Sequence, residues 1–373
     1  MASLRFVGLV SLLLVGGCAM ELEDDTGVAS GALHGSCGSG CERSGPPAPM
    51  IFDTDMDFDD AAALAYLCQQ HKQGEIDLLA VTVTNNGAGM PGNAIRHARC
   101  ILAECGLSEI PVADGSDAGV NPAPFELQFA IDAVLGGTFA ECTEDTAPSE
   151  VTAAQLLVDT IRSSRRPVVL LTTGPLSNVA AALELDASTH PRHRRGPPLA
   201  RRIRSMYTMG GAVSVPGNLF GTALEAFDNS QEFNMWVDPP AAQEAFDTLG
   251  HNAVRLVPLD ATNHVPVTAE FVEVLRANQQ TAEAAMVLRI MDQPITQFGI
   301  SLGAFYWWDP LAAVAALGDI CAVDFERDRI EVVQEGPQAG RTFSTRHGVH
   351  MLVATSADSE RFEQSFLNGL NGN

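Results

Sequence analysis

Short apolar runs alternate with stretches that carry apolar residues at helical spacing from about residue 50 to the end of the chain. The runs predict strands at 78–84, 110–113, 167–173, 203–209 and 253–258, and the stretches predict helices at 93–105, 153–163 and from Ser177. Strands separated by helices need crossover connections, which favour a parallel sheet covered on both faces. We therefore predict one α/β domain over 49–373, with a mostly parallel central sheet flanked by helices.

The segment before this domain has the pattern of a targeting signal. Arg5 precedes an apolar run, Phe6 to Val15, that is too short to span a membrane. Gly16, Gly17 and Cys18 follow and resemble the lipobox of bacterial lipoproteins. We expect 1–18 to be a lipoprotein signal peptide that leaves a lipid on Cys18, which is the only membrane attachment expected. A plain secretory signal, and hence a secreted protein, is the alternative.

The composition of the rest of the chain narrows its location and partners. Residues 19–48 are acidic and rich in Gly, Ser and Pro, which predicts a flexible tether in the bacterial cell envelope. The net charge of −24 argues against nucleic acid as a partner. One basic cluster is expected to be a solvated loop: Arg192, His193, Arg194, Arg195, Arg201 and Arg202.

Cysteine spacing gives two expectations. Cys37 with Cys41, and Cys100 with Cys105, are close enough in sequence to pair in an oxidising envelope, although sequence alone does not fix the pairing. Cys68 lies in an apolar helical pattern and is expected to be a buried small residue.

The run IFDTDMDFDD opens the domain and places five aspartates in eight positions: Asp53, Asp55, Asp57, Asp59 and Asp60. Ile51 and Phe52 end a strand, and the Ala-rich pattern from Ala61 begins a helix. So many carboxylates in one loop need a positive partner, and a hard cation with oxygen ligands fits.

Two other interpretations explain part of this run. Asp59 and Asp60 could be helix caps, but that role leaves Asp53 and Asp55 unexplained. An EF-hand fails because the required Gly and the final Glu are missing.

Further polar residues follow the predicted strands, where open α/β sheets bind their ligands. Asp55, Asn85, Asn86, Thr173 and Asp260 are expected at this carboxyl edge. The chain has no GxxxxGK[ST] motif, so this pattern gives no support for P-loop binding.

Several motifs, in one order over roughly 49–355, resemble the inosine–uridine-preferring nucleoside hydrolase family. The family's DxDxxxDD opening stands here as DTDMDFDD, with Met56 and Asp57 in place of its usual Pro-Gly. The later motifs are TGPLSN at 173–178, MGG at 209–211, EFN at 232–234, WDP at 308–310 and GRT at 340–342. Each alone could be turn or cap chemistry, but together they indicate the family, whose fold is a Rossmann-like α/β domain.

The resemblance implies a calcium-dependent site. Ca²⁺ would be held by Asp55, Asp60, Asp309 and the main-chain carbonyl of Thr173, and Asp55 would also be the catalytic general base. The sugar hydroxyls would be bound by Asp59, Asn218, Glu232 and Asn234, with Asn86 as a further sugar contact. Asp53 is expected to order the loop.

Trp308 stands where many members of the family have His. Tryptophan does not protonate a leaving base as histidinium does, but it stacks on a purine, as in the purine-preferring branch. Phe305 and Trp307 are expected to be core residues, and His264 a structural one.

These features predict calcium-dependent hydrolysis of ribonucleosides to ribose and free base, with purines slightly favoured. Two alternatives stay open at this point: a calcium-bound ribose- or nucleoside-binding lipoprotein with little catalysis, and a hydrolase of another N-riboside. The family also makes a homo-oligomer possible.

Overall fold

The computed structural model describes residues 46–115, 119–189, 198–219, 229–250, 253–318 and 322–373. Cys18, Cys37, Cys41, most of the predicted tether and the basic residues 192–195 lie outside these ranges. No helix within them is both long enough and apolar enough to cross a membrane.

The described ranges alternate strands and helices as predicted. The strands are β1 Ala48–Thr54, β2 Ile76–Val83, β3 Val112–Asp114, β4 Val168–Thr172, β5 Ile203–Met209, β6 Val254–Val257, β7 Val323–Val332, β8 Thr342–Ser344 and β9 Val349–Ala357. The helices are α1 Phe58–Gln73, α2 Asn93–Glu104, α3 Phe125–Thr138, α4 Ala153–Ser163, α5 Ser177–Thr189, α6 Phe233–Val237, α7 Pro239–Leu249, α8 Leu259–Thr262, α9 Ala269–Asn278, α10 Ala282–Met291, α11 Pro294–Ser301, α12 Trp308–Ala316 and α13 Ser359–Asn371.

One sheet joins the strands of the described ranges in the order β3-β2-β1-β4-β5-β6-β9-β7-β8. Pairing is parallel from β3 through β6 to β9, whereas β7 runs antiparallel to both β8 and β9. The chain reverses its direction of progress across the sheet between β1 and β4. In open α/β sheets, the crevice at the carboxyl ends of the strands on either side of such a reversal is the ligand site.

Strand β1 lies between β2 and β4 in the sheet and contributes to the core on both of its faces. Met50 and Phe52 pack into one apolar cluster, while Ile51 between them packs into the other. Alternate side chains of a strand point to opposite faces, so this continuous apolar run is what a strand buried on both sides requires. The same burial carries the acidic loop that follows β1 into the interior.

Helix α1 begins with the acidic loop, and its first turn is fixed by two of its aspartates. The Asp57 carboxylate accepts the N–H of Phe58 at 2.5 Å, and the N–H of Asp57 donates to Asp60 at 2.8 Å. This reciprocal capping box satisfies donors that a helix start leaves free. The cap is therefore Asp57, and the interpretation of Asp59 as a cap was wrong.

The structure corrects the expected pairing of Cys100 with Cys105. Cys100 of α2 forms a disulfide with Cys142, which lies 42 residues later, while Cys105 and Cys68 are buried free thiols. A long-range bridge is invisible to sequence spacing because it depends on how α3 folds back onto α2. The burial of Cys68 agrees with its expected role.

The basic cluster also needs one correction. The Arg202 guanidinium donates to the carbonyls of Ile161, Arg162 and Ser164 at 2.8–3.2 Å. These carbonyls lie at the end of α4, where a helix has no partners of its own and a cation is favoured. Arg202 therefore fastens a helix end instead of lying in a solvated loop.

The Cys100–Cys142 bridge should stabilise the fold through the loop that it closes. For this separation the chain-entropy relation gives a stabilisation of about 4 kcal/mol, and measured values run about 2–4 kcal/mol. We expect Cys142→Ser to lower the free energy of unfolding by that amount in denaturant titrations. Cys68→Ser, at a buried free thiol, is the control that should leave the bridge intact. Peptide mapping without reductant should recover Cys100 linked to Cys142; recovery of Cys100 linked to Cys105 would contradict the assignment.

Candidate active site

The predicted site residues meet at the carboxyl ends of β1 and β4, where the strand order reverses. Asp55 follows β1 and Thr173 follows β4, while Asp59 and Asp60 belong to the first turn of α1. Asp309 reaches the same place from the first turn of α12, about 250 residues later in the chain. The site is thus assembled from three distant segments.

Three carboxylates form the centre of this site. Oxygens of Asp59, Asp60 and Asp309 lie within 4.8 Å of one another, and all three side chains are buried. Burial, and then the charges of the neighbouring carboxylates, raises the pKa of Asp309 and the pKa of Asp59 well above the usual range. Clustered buried carboxylates of this kind are the oxygen donor set that suits a hard divalent cation, so these residues fit a metal ion.

Asp60 is held rigidly by its neighbours. Its Oδ1 accepts hydrogen bonds from the hydroxyls of Thr54 and Thr173, the second at 2.5 Å. Its Oδ2 accepts the N–H of Asp57. The carboxylate that joins β1, β4 and α1 therefore has a single orientation.

Backbone packs directly against Asp55 from two sides. A Cβ added to Gly87 would come within 2.2 Å of the Asp55 carboxylate, and one added to Gly174 within 2.8 Å of its backbone N. Only residues without side chains can occupy these two positions without displacing Asp55. The N–H of Ala88 donates to Asp55 Oδ2 at 2.7 Å. Burial, together with the charge of Asp60, raises the pKa of Asp55 well above its ordinary value.

The residue after Asp55 holds the loop in a costly conformation. Met56 has a φ of 58°, the left-handed region, which costs about 1–2 kcal/mol for a residue with a Cβ. Its N–H donates to the Thr54 hydroxyl at 2.9 Å, and its side chain is fully buried. These contacts hold Met56, which stands where the family usually has proline, in that conformation.

Asp53 lies within β1, two residues before Asp55. Its Oδ1 accepts the Thr82 hydroxyl at 2.5 Å and the Asn178 amide at 2.8 Å, and its backbone carbonyl accepts the N–H of Thr173. Burial raises the pKa of Asp53 to about 7. The contacts join β1, β2 and the start of α5, which agrees with the expectation that Asp53 orders the loop.

The EFN segment, residues 232–234, lies beside the TGP segment at the site. Glu232 caps α6: its Oε1 accepts the N–H of Asn234, and its Oε2 accepts those of Gly211 and Met235. The Asn234 amide donates to the carbonyl of Thr173 at 2.8 Å. Asn218 is half-buried, and its Oδ1 accepts the N–H of Phe233 at 2.9 Å. The segment is thus joined to the TGP segment through the same carbonyl that the resemblance assigns to the metal.

Asn86 is oriented by Ser177 and Asp238, to which the sequence motifs assigned no role. Its amide donates to the Ser177 hydroxyl at 2.8 Å, and that hydroxyl donates to Asp238 at 2.7 Å. Asp238 also caps α7. This relay fixes Asn86 relative to α5 and α7.

Other residues expected at this edge have structural roles. Both carboxylate oxygens of Asp260 accept backbone N–H groups, those of Val213 and Ser214, at 2.8 Å each. The Asn85 amide donates to the carbonyl of Gly115. His264 is exposed.

Trp308 directly precedes the buried Asp309 and belongs to an aromatic group. Its ring centroid lies 5.5 Å from Tyr306, 6.4 Å from Phe58 and 6.5 Å from Phe305. Trp308 is half-buried, whereas Trp307 is fully buried against Phe271 and Phe366. Phe305 and Trp307 are core residues as expected, and Trp308 is the tryptophan next to the carboxylates that keeps exposed surface.

The family model for inosine-uridine preferring nucleoside hydrolase matches residues 50–364. The chain therefore belongs to this family. Among curated relatives, the pyrimidine-specific ribonucleoside hydrolase RihA of Shewanella sp. strain ANA-3 is 36% identical over 233 residues, which are 61% of this chain and 64% of the relative. The RihA of Citrobacter koseri is 32% identical, over 61% of this chain and 65% of its own length. The alignments thus span somewhat less than two thirds of these relatives.

Solved structures of nucleoside hydrolases share the fold. The inosine-uridine preferring nucleoside hydrolase of Bacillus anthracis has a TM-score of 0.71 at 24% identity, covering 87% of this chain and all of its own. A plant nucleoside hydrolase, PpNRh1, has a TM-score of 0.73 at 22% identity, and the match covers 88% of this chain and 100% of its own. The purine-preferring ribonucleoside hydrolase of Gardnerella vaginalis has a TM-score of 0.70 at 24% identity, and the match covers 87% of this chain and 98% of its own. At these identities the likeness establishes the α/β fold with its central, mostly parallel sheet.

Removing divalent metal should make this nucleoside hydrolase family member sensitive to high pH. The raised pKa values of Asp53 and Asp57, about 7 each, mean that the folded chain binds more protons than the unfolded chain between about pH 4 and pH 7. Their contribution to stability is complete below pH 4 and is lost as pH rises through 7. In chelator, the melting temperature should therefore fall between pH 5 and pH 8.

Added Ca²⁺ should offset that loss, because a cation held by the expected ligands Asp55 and Asp309 competes with protons there and also balances the charge of the neighbouring Asp53 and Asp57. The rise in melting temperature caused by Ca²⁺ should be larger at pH 8 than at pH 5, and scanning calorimetry with and without chelator measures it. An equal rise at both pH values, or none, would contradict a cation site built from these carboxylates.

Proposed function

We propose that this protein hydrolyses the N-glycosidic bond of ribonucleosides and releases ribose and a free base. The observation that carries the proposal is the buried cluster of Asp55, Asp59, Asp60 and Asp309 at the sheet reversal of a nucleoside hydrolase family member. The curated relatives, named as ribonucleoside hydrolases, support the same chemistry.

We infer that the cluster binds Ca²⁺ through Asp55, Asp60, Asp309 and the carbonyl of Thr173. When bound, the cation supplies positive charge that balances the carboxylates and makes the attacking water more acidic. Asp59, Asp60 and Asp309 lie close enough together to share one ion. The Asn234 amide donates to the Thr173 carbonyl, which keeps a second lone pair for another partner.

Asp55 acts as the general base in this proposal. It accepts the proton of the attacking water at a carboxylate whose orientation is set by the N–H of Ala88 and by the glycines packed against it.

Polar side chains around Asp55 bind the sugar. Asp59, Asn86, Asn218, Glu232 and Asn234 supply acceptors and donors for its hydroxyls. A buried hydroxyl without a partner is costly, so such a site selects ribose over sugars that lack one. The surrounding carboxylates stabilise the positive charge that develops on the ribose as the C1′–N bond breaks.

The identity of the base has two candidates. Trp308 offers an aromatic surface next to Asp309, which favours purine nucleosides through stacking worth about 1 kcal/mol. The names of the curated relatives favour pyrimidine nucleosides instead. We keep the purine preference as the prediction and the pyrimidine preference as the second candidate.

We further propose that the protein acts in the bacterial cell envelope, anchored through a lipid on Cys18 and the tether 19–48. This part of the proposal is supported only by the sequence pattern. A homo-oligomer is compatible with it and remains a prediction.

Asp55→Asn should lower kcat by at least about 10²–10³-fold, because an amide is not a proton acceptor of useful strength. The variant should stay folded, and in chelator its melting temperature should not fall, since one buried carboxylate is removed from a crowded group. Release of ribose from inosine and uridine at saturating Ca²⁺ measures the effect. Asp324→Asn, on the antiparallel strand β7, is the control and should retain full activity. Near-normal turnover by Asp55→Asn would remove Asp55 from its role as base.

Trp308→Ala should reduce kcat/KM for purine nucleosides about fivefold more than for pyrimidine nucleosides, which corresponds to loss of about 1 kcal/mol of stacking. Trp308→Phe keeps an aromatic face and should restore most of the difference. The comparison needs paired assays of inosine, adenosine, uridine and cytidine. An equal loss for both classes of base would exclude stacking on Trp308 as the source of selectivity.

A further inference from the structure

The loop 85–89, which has no regular secondary structure, orients Asp55 through two backbone hydrogen bonds. The N–H of Ala88 donates to Asp55 Oδ2 at 2.7 Å, and the N–H of Gly89 donates to the Asp55 backbone carbonyl at 2.8 Å. Both donors act only if the peptide planes around Ala88 keep their orientation. A loop that contains Gly87 and Gly89 does not fix that orientation by itself, because glycine leaves the backbone free to rotate.

Gln128 of helix α3 supplies the missing restraint. Its Nε2 donates to the carbonyl of Gly87 at 2.9 Å and to the carbonyl of Gly89 at 3.2 Å. The Gly87 carbonyl belongs to the peptide unit that carries the Ala88 N–H, and the Gly89 carbonyl belongs to the unit after Gly89, so one side-chain amide holds both ends of the segment. Gln128 is 8% exposed, which keeps water from competing for the two bonds.

Helix α3, which carries Gln128, is held against α2 by several contacts. Asp132, one turn after Gln128, lies 3.0 Å from Nε2 of His97 in α2. The Arg96 guanidinium donates to the carbonyls of Phe139 and Cys142 just after α3. The disulfide from Cys100 closes the same junction.

We propose that Gln128 is a positioning residue for Asp55: it holds the Gly87 and Gly89 carbonyls so that the Ala88 N–H orients the Asp55 carboxylate. The inference rests on the proposed function, because it assigns to Gln128 the geometry of the proposed base and metal ligand. Within the described ranges Gln128 makes no hydrogen bond to the carboxylates or to the side chains expected to bind the sugar, so its influence passes through the loop.

Gln128→Met tests this role, because methionine has nearly the same length and volume but donates no hydrogen bond. We expect kcat at saturating Ca²⁺ to fall about 10–100-fold, the usual effect of losing a residue that orients a metal ligand. KM should change by less than about threefold, since Asn86, the one proposed sugar contact in this loop, stays bonded to Ser177 and the other proposed contacts lie outside the loop. Amide hydrogen exchange in a peptide covering 84–92 should become faster while the melting temperature changes little.

Gln243→Met is the matched control. Gln243 is also 8% exposed and makes two hydrogen bonds, with Asp247 and with the N–H of Val332, but it lies between α7 and β7. It should cost comparable stability and leave both kcat and the exchange of 84–92 unchanged. A kcat for Gln128→Met within about twofold of wild type, or a loss no larger than that of Gln243→Met, would overturn the proposal.

Failure of the proposed function can be told apart from failure of this inference. If the wild-type protein releases no ribose from any nucleoside, the proposed function has failed, and the Gln128 assignment is decided by exchange and by calorimetric titration with Ca²⁺. Faster exchange in 84–92 with weaker Ca²⁺ binding in Gln128→Met, but not in Gln243→Met, supports the assignment. Unchanged exchange overturns it.

Discussion

Negative charge buried at the carboxyl ends of β1 and β4 is the constraint on which the rest of this structure depends. Asp53, Asp55, Asp59, Asp60 and Asp309 are each at most 3% exposed, and the groups that shift the pKa values of Asp55 and Asp309 include further carboxylates. Isolated buried charges are strongly unfavourable, so such a cluster persists only with protons or a cation bound. The stability of the fold and the proposed catalysis therefore both depend on whether the carboxylates bind protons or a metal ion.

The polar residues around the cluster are explained by the same constraint. Thr54 and Thr173 hold Asp60, and Thr82 with Asn178 hold Asp53, so that each carboxylate is fixed by donors from a different segment. The strand order places these segments side by side, because β1 and β4 are neighbours at the point where the order reverses. A site fixed in this way presents the same geometry to each substrate, which is the preorganisation that catalysis needs. The proposed Gln128 restraint extends the principle to the loop 85–89, which has no regular secondary structure.

Much of the architecture was predictable because a doubly covered parallel strand leaves a continuous apolar run. The predicted strand 203–209 and helix 153–163 have the bounds of β5 and α4, and the helix predicted at 93–105 differs from α2 by one residue. Strands β7, β8 and β9 were not predicted, since β7 carries four successive charged residues, Glu326 to Arg329, that resemble a polar loop. The site aspartates were visible as a cluster, and Asp309 only through the family's motif. Gln128 carries no sequence signal, and neither the TGPLSN motif nor Asp238 reveals the hydrogen bonds of Ser177, because these partners are set by tertiary packing, as are those of Cys100 and Cys142.

The most direct test of the account is release of ribose by the domain from residue 46 onward, incubated with purine and pyrimidine ribonucleosides in Ca²⁺ and in chelator. The account predicts release that requires Ca²⁺ and returns when Ca²⁺ is restored, with the rates ranking the bases. No release from any nucleoside, accompanied by a Ca²⁺-dependent rise in melting temperature with ribose, would contradict it and identify a binding protein instead.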